Sequence, residues 1–336
     1  MNGAVGTDAY GYTVLPVVAY YDVAIGTMVY GRDCTITVYD IDGLPAANVT
    51  VKLNGTEIGA TAEDGTLTTN AMAAMEVGTE FVITAESELG LSFESKAKVL
   101  GYAGNEDNLP NAVRHNIVED DSTMTSISWF TNANYAREKA YIRYMTEEQY
   151  EKLTKGFGPD TNYLTVRGET AMVPFATTGN AAYLHTVTLD GLTPETTYYY
   201  WLGDGSEEAW SEAMTFTTEA ADDETSVFYI LGDTQMTGDP AQDADAINEI
   251  NAILALIAEY DVDFGIQTGD FIDNGDNYNH YAQILNILQN SSVGDKLLYN
   301  AFGNHEYYGA SAGAIAEQIF AIPHPNYYSV EHGDVY

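Results

Sequence analysis

Three short runs carry the side chains that could do chemistry: Gly232-Asp233-Thr234-Gln235, Gly269-Asp270-Phe271-Ile272-Asp273-Asn274-Gly275 and Gly303-Asn304-His305-Glu306. Asp233, Asp270 and Asn304 stand at comparable points in them, 37 and then 34 residues apart. Side-chain oxygens suit hard divalent cations, and borderline cations also accept imidazole. A carboxylate can bridge two cations. Two cations about 3.5–4 Å apart can polarise a phosphoryl oxygen and hold a hydroxide for in-line attack. Asp233, Asp270 and Asn304 offer oxygens for such a centre if neighbouring strand ends bring them together.

The flanking elements fit that requirement. Each run follows a stretch that reads as a buried strand: Val227–Leu231, Phe264–Thr268 and Leu297–Phe302. Ile247, Ile250, Ile253, Leu254 and Ile257 recur at helical spacing, with Asp243, Asp245 and Glu249 early in that helix, near its positive end. A second helical pattern covers Tyr281 to Leu288. Strand, helix, strand, helix, strand implies parallel pairing through right-handed crossovers. Each gap between anchors suits one crossover unit of about 30 or more residues. In such a sheet ligands bind outside the carboxyl ends of the strands.

Upstream the pattern is all-β. From Met28 to Leu100, runs such as Thr35–Tyr39, Val49–Leu53 and Phe81–Ala85 alternate with Asp42-Gly43, Asn54-Gly55 and Asp64-Gly65, which are hairpin and turn signals. Residues 1–27 read as a strand or extended lead-in, and 101–108 as a polar linker. A second β region spans 109–219, with Glu147–Leu153 as a short helical insertion and Trp129 and Trp201 as core residues. Ala220–Glu224 is an acidic hinge. His115 and His185 read as surface or strand residues, His324 as loop and His332 as strand. His280, at a helix start, reads first as an ordinary residue and second as a substrate contact.

Composition narrows the partners. The 336 residues hold 12 Lys+Arg against 50 Asp+Glu, a net charge of −38. A surface this acidic repels phosphate backbones, so no nucleic acid is expected to bind through a basic patch. Anionic membranes are disfavoured too, whereas divalent cations are attracted. No apolar run is long enough for a membrane span, and the start lacks the pattern of a signal peptide. The single cysteine, Cys34, cannot form an internal disulfide and reads as a buried thiol. Neither a Gly-x-Ser-x-Gly elbow nor a phosphate-binding Walker loop occurs. Residues 226–336 contain 16 acidic residues and one basic residue, Lys296, so cations would have to neutralise both the ligands and a phosphate.

Four resemblances follow from these motifs. The order Asp-Gly-x-Pro, Val-x-Val-x-Leu-Asn-Gly, Asp-Gly between residues 42 and 65 resembles immunoglobulin-like domains of carboxypeptidase regulatory regions and bacterial surface proteins. Leu192-Thr193-Pro194-Glu195-Thr196-Thr197-Tyr198-Tyr199-Tyr200 resembles the corner of fibronectin type III-like sandwiches, with Tyr198 as its corner tyrosine. Most of 109–219 is similar to the N-terminal domain of purple acid phosphatases. The Gly-Asp, Gly-Asp-x-x-Asp-x-Gly and Gly-Asn-His-Glu series resembles the calcineurin-like metallophosphoesterase superfamily, to which purple acid phosphatases belong. That resemblance implies that Asp233 binds a first metal, Asp270 bridges both, and Asn304 binds the second through its amide oxygen. It implies that His305 faces the phosphate and protonates or steadies the leaving group, helped by Glu306.

The sequence departs from the family in three ways. Gln235 stands where many members have a histidine; its neutral carbonyl oxygen favours Mn or Mg over Zn. Asp273 stands where purple acid phosphatases have their coloured tyrosine, and is expected to cap or orient the loop. The Gly-His-x-His that completes both metal shells does not occur; Tyr327–Val335 resembles the strand just after the Gly-Asn-His-Glu region.

The expected architecture is therefore multidomain, two all-β immunoglobulin/fibronectin-like sandwiches followed by an incomplete α/β metallophosphoesterase domain. The expected boundaries are 1–27 lead-in, 28–103 immunoglobulin-like, 104–224 fibronectin type III-like and 225–336 metallophosphoesterase, N-terminal half. The expected function is hydrolysis of a phosphate monoester or diester with two divalent or trivalent metal ions (Mn, Fe, Zn or Mg), weak or absent in this length of chain. The expected setting is secreted or cell-surface, with attachment there through the first domain. The alternative is an acidic surface or adhesion protein whose last domain keeps the fold but only binds metal or a partner.

Overall fold

The computed structural model describes residues 21–86, 91–104, 109–118, 122–134, 139–156, 163–205, 210–220, 225–311, 313–324 and 327–330, and the backbone of 6–7 and 13–14. Most of the lead-in, linker residues 105–108, hinge residues 221–224 and Glu331–Val335, with His332, lie outside the described residues. Contacts divide the chain into two compact units, Met1–Gly101 and Tyr102–Tyr336.

The first unit is a small sandwich. Its strands are β1 (Tyr21–Ile25), β2 (Cys34–Asp40), β3 (Thr50–Leu53), β4 (Thr56–Ala60), β5 (Thr66–Thr69), β6 (Glu80–Glu86) and β7 (Ser92–Lys98). One sheet has the order β1-β2-β5 and the other β4-β3-β6-β7, all antiparallel. Part of the expected lead-in is thus a sandwich strand. Asn54-Gly55 forms the β3–β4 turn with both residues at positive φ, the mirror-image turn that the dipeptide favours. Inward-facing Ile36, Val38, Val51, Phe81 and Ile83 make the core, and Cys34 lies buried in it. Burial pushes its thiol pKa up to about 11, as an inert structural cysteine requires.

The second unit carries β8 (Asn111–Asn116), β9 (Thr125–Asn132), β10 (Tyr141–Thr146), α1 (Glu147–Thr154), β11 (Leu164–Arg167), β12 (Glu169–Phe175), β13 (Asn180–Leu189), β14 (Thr197–Gly203) and β15 (Met214–Thr217). After these come β16 (Phe228–Leu231), α2 (Ala244–Ile257), β17 (Phe264–Gln267), α3 (Tyr278–Gln289), β18 (Leu297–Asn300) and α4 (Ala314–Phe320). One sheet runs β11-β10-β14-β15. The other runs β13-β9-β8-β18-β17-β16, with β12 also on β13. The β part and the α/β part therefore share a sheet, joined by the parallel pair His115–Leu297. The Tyr198 hydroxyl accepts the Thr193 backbone N–H at 2.8 Å, the expected corner bond.

The α/β part follows the expected order, with β16, β17 and β18 parallel and adjacent. Tyr229, Leu231 and Leu298 point to α2, α3 and α4, where Ile250, Leu254, Ile284, Leu285 and Ile319 cover them. One expectation fails here. The run Val227–Leu231 reads as buried, but Phe228 and Ile230 are 41% and 59% exposed. The reason is position: β16 is the edge strand, and among the described residues helices cover only its other face.

A bulge in β8, with Ala112 at positive φ, leaves two backbone donors unpaired in the ladder. The side-chain oxygens of Asn286 and Gln289 on α3 accept from Ala112 and Val113, each at 2.8 Å. His115 and His185 are strand residues, but interior ones, not surface ones. Thr125 holds one nitrogen of His115; Thr131 and Thr170 hold both nitrogens of His185. Burial pushes both imidazoles down to about 4.

Candidate metal centre

The three loops leave the carboxyl ends of adjacent parallel strands, so the sequence runs that looked alike also lie side by side. Their backbones interlock. The Asp233 N–H donates to the Gly269 carbonyl at 3.0 Å and the Gln235 N–H to the Asp270 carbonyl at 2.9 Å. The glycines permit this: a Cβ on Gly269, at φ 110°, would press on Gly303 N, and one on Gly303 would collide with the Asp270 carboxylate.

Asp270 sits at the middle of the group. One carboxylate oxygen accepts the His305 backbone N–H at 3.0 Å; the other lies 3.4 Å from the Gln235 side-chain amide. That amide is also 3.4 Å from His305 Nε2. His305 Nδ1 donates to the Asp273 carbonyl at 2.8 Å, which leaves Nε2 as the lone-pair nitrogen facing the group. Asp273 therefore orients the imidazole through its backbone carbonyl, with its carboxylate farther off at 3.6 Å. Asn304 gives its amide N–H to the Tyr308 hydroxyl at 2.6 Å, so its amide oxygen is left for a ligand. Asp233 and Gln235 are exposed, and Asp233 has no side-chain hydrogen bond among the described residues.

Asp233, Gln235 and Asp270 share a feature the sequence did not announce. All three adopt positive φ, at 54°, 43° and 52°. A left-handed conformation costs a non-glycine residue about 1–2 kcal/mol, and such strain clusters at ligand-binding sites. Here three of the expected ligands carry it together.

Beneath the exposed rim lies a buried bracing layer. Glu306 is fully buried. Its carboxylate accepts three backbone N–H groups, from Asp270 at 3.0 Å, Phe271 at 2.8 Å and Gly303 at 2.7 Å. It ties the second loop to the third, and among the described residues its hydrogen bonds go to backbone N–H groups and not to the His305 ring, a loop-bracing role where assistance to His305 was expected. Asp276, also fully buried, accepts from the N–H groups of Ala176 and Ala310 at 2.7 and 3.0 Å, joining the β12–β13 turn to the third loop. His280 is buried as well. Its Nδ1 accepts the Asn274 N–H at 3.0 Å, which makes it a brace for the second loop. Burial lowers its pKa, keeping that acceptor unprotonated. Sequence reasoning missed Tyr308 and Asp276, although Tyr308 lies one helical turn after Asn304.

Two carboxylates, two side-chain amides and an imidazole are the donors of an oxygen-preferring cation site. Asp233, Asp270 and Asn304 fit such a cation in kind, whereas Gln235 faces Asp270 and His305 with its NH2 and would ligate only with the amide turned to present its oxygen. Among the described residues no cluster of three or more His, Cys, Asp or Glu side chains is placed to hold an ion, and two of these four ligands are amides. No helix is long and apolar enough to cross a membrane among the described residues.

Residues 110–218 match the family model of the purple acid phosphatase N-terminal domain, and residues 226–335 that of the calcineurin-like phosphoesterase. No curated protein matches the chain. Among solved structures it is similar to purple acid phosphatase PPD1 from seeds of yellow lupin (Lupinus luteus), at 16% identity and a TM-score of 0.48, over 92% of this chain. The chain spans 63% of the length of that lupin protein. It is also similar to the FN1–FN3 domains of chicken CNTN1, at 16% identity and TM-score 0.28, over 64% of this chain and 74% of that one. A two-domain fibronectin type III segment of chicken tenascin matches at 14% identity and TM-score 0.19, over 58% and 95%. The chain thus carries a purple acid phosphatase N-terminal domain followed by a calcineurin-like phosphoesterase domain.

Proposed function

We propose that the chain belongs to a metal-dependent phosphoric ester hydrolase and that Asp233, Gln235, Asp270 and Asn304 supply its metal ligands. The observation that supports this most is the convergence of Gln235, Asp270 and His305 side chains from three adjacent strand ends. When bound, a pair of cations would supply Lewis acidity and an activated water for attack on phosphorus. The chain's own residues do the rest. Asp270 is held by the His305 N–H so that one oxygen faces the Gln235 amide. His305 keeps its proton on Nδ1 against Asp273 and presents Nε2, which can take up a proton and deliver it to the leaving oxygen. Glu306 holds the second and third loops in register.

An assay with Mn2+ and a chromogenic aryl phosphate tests the reading. Metal-dependent hydrolysis that Asp270→Asn abolishes supports it; hydrolysis untouched by Asp270→Asn overturns it. The internal hydrogen bonds of Asp270 and Gln235 favour a second reading, a domain that binds a cation or partner without turnover. Metal binding with no hydrolysis would select that reading.

A further inference from the structure

The outer face of the β10–β14 sheet carries a guanidinium held between aromatic rings. The Arg143 guanidinium carbon lies 4.7 Å from the Tyr163 ring, 5.1 Å from Trp201 and 4.5 Å from Trp210. Cation–π contact of that kind holds the side chain in place. Tyr150 stacks on Tyr199 at 3.8 Å beside it. Trp201 is thus buried as expected, but under this outer cluster and not in the sandwich core.

The charge pattern singles out the same place. Half of the chain's basic residues, Arg137, Lys139, Arg143, Lys152, Lys155 and Arg167, fall within residues 137–167, against five acidic ones there. Lys152 and Lys155 are used up by Glu148 and Glu151 on α1. Arg143 and Arg167 have no carboxylate partner among the described residues, in a chain with four acids for every base. Strand register puts them on one face: Arg143 opposes Thr165 and Trp201, and Tyr141 opposes Arg167. Diagonal neighbours of this kind lie about 7–8 Å apart. Arg143 Nε is buried without a partner, while its terminal nitrogens reach the surface, also without one.

We propose that this face binds an acidic glycan, with Arg143 and Arg167 receiving a carboxylate borne directly on a sugar ring. An unpaired planar fork matches a carboxylate through two parallel hydrogen bonds. Rings within about 5 Å of the fork demand a ligand whose anion and whose flat apolar surface adjoin. A uronic acid satisfies that; a nucleotide, whose phosphate is remote from its base, does not. The site is separate from the candidate metal centre and independent of the hydrolase reading.

Two of the three tryptophans flank the cage and the third, Trp129, is in the core, so tryptophan fluorescence reports on this face. The whole chain is titrated with galacturonate oligomers, with neutral galactose oligomers and with inorganic phosphate. Expected is a saturable fluorescence change with the galacturonate oligomers alone. Arg143→Lys, which keeps the charge but loses the fork, should weaken it about tenfold or more. The exposed Arg167→Gln, which threatens folding least, should weaken it several-fold. No binding by the unaltered chain, equal binding of neutral oligomers or phosphate, or full affinity in Arg167→Gln would overturn the proposal.

Discussion

The rim and the underside of the three loops use the same residue types in opposite ways. On the underside, Glu306 and Asp276 are fully buried, and their carboxylates are taken up by backbone N–H groups. On the rim, Asp233 is exposed with no side-chain partner among the described residues, and Asn304 keeps its amide oxygen free. Burial makes unsatisfied polar groups costly, so interior carboxylates become structural. Exposure and backbone strain leave the rim oxygens to a ligand. Histidines divide likewise: His115 and His185 are interior, while His305 keeps a nitrogen facing the group.

Acid should break the interior side of this contrast hardest. His115 and His185 have folded pKa values near 4 against an unfolded 6.5. A depressed folded pKa means the unfolded chain binds the proton first. Stability is therefore full above about pH 6.5 and falls as pH drops towards 4, by about 3 kcal/mol for each histidine. Urea unfolding across that range checks it, and His185→Gln should flatten the slope.

Glu306→Ala removes the acceptor of three backbone N–H groups at once. It should destabilise the second unit by about 4 kcal/mol, since each orphaned buried N–H costs about 1–3 kcal/mol. Asp276→Asn keeps the shape but sets an NH2 against one backbone N–H, losing one charge-assisted bond and weakening the other, for a loss of about 2 kcal/mol. Chemical denaturation measures both. Gln235→Gly should act in the other direction. Relief of its positive φ stabilises by up to about 1 kcal/mol, while the lost amide weakens metal binding. A rim substitution that stabilises beside interior ones that destabilise would sharpen the contrast.

The legible parts of the molecule were those set by local pattern. Asn54-Gly55 gave its hairpin, Ile250 and Leu254 their helix, and three alike strand-loop junctions a parallel sheet. Other features depended on tertiary neighbours. Nothing local tells that Phe228 and Ile230 lie on an edge strand, or that Asn286 and Gln289 satisfy a bulge more than 170 residues away. Glu306 shows the limit within the site itself. Its place beside His305 in sequence suggested a shared role, yet Glu306 is buried against loop backbone N–H groups while the His305 ring meets Gln235 and the Asp273 carbonyl.

Mn2+ titration of the unaltered chain and of Asp270→Asn, followed by the paramagnetic resonance of the free ion, tests the cation site most directly. The account expects saturable binding that Asp270→Asn weakens by at least about tenfold with the melting curve unchanged, because loss of a ligand costs no less than loss of a supporting group. Equal binding by the two proteins, or none by the unaltered chain, would contradict it.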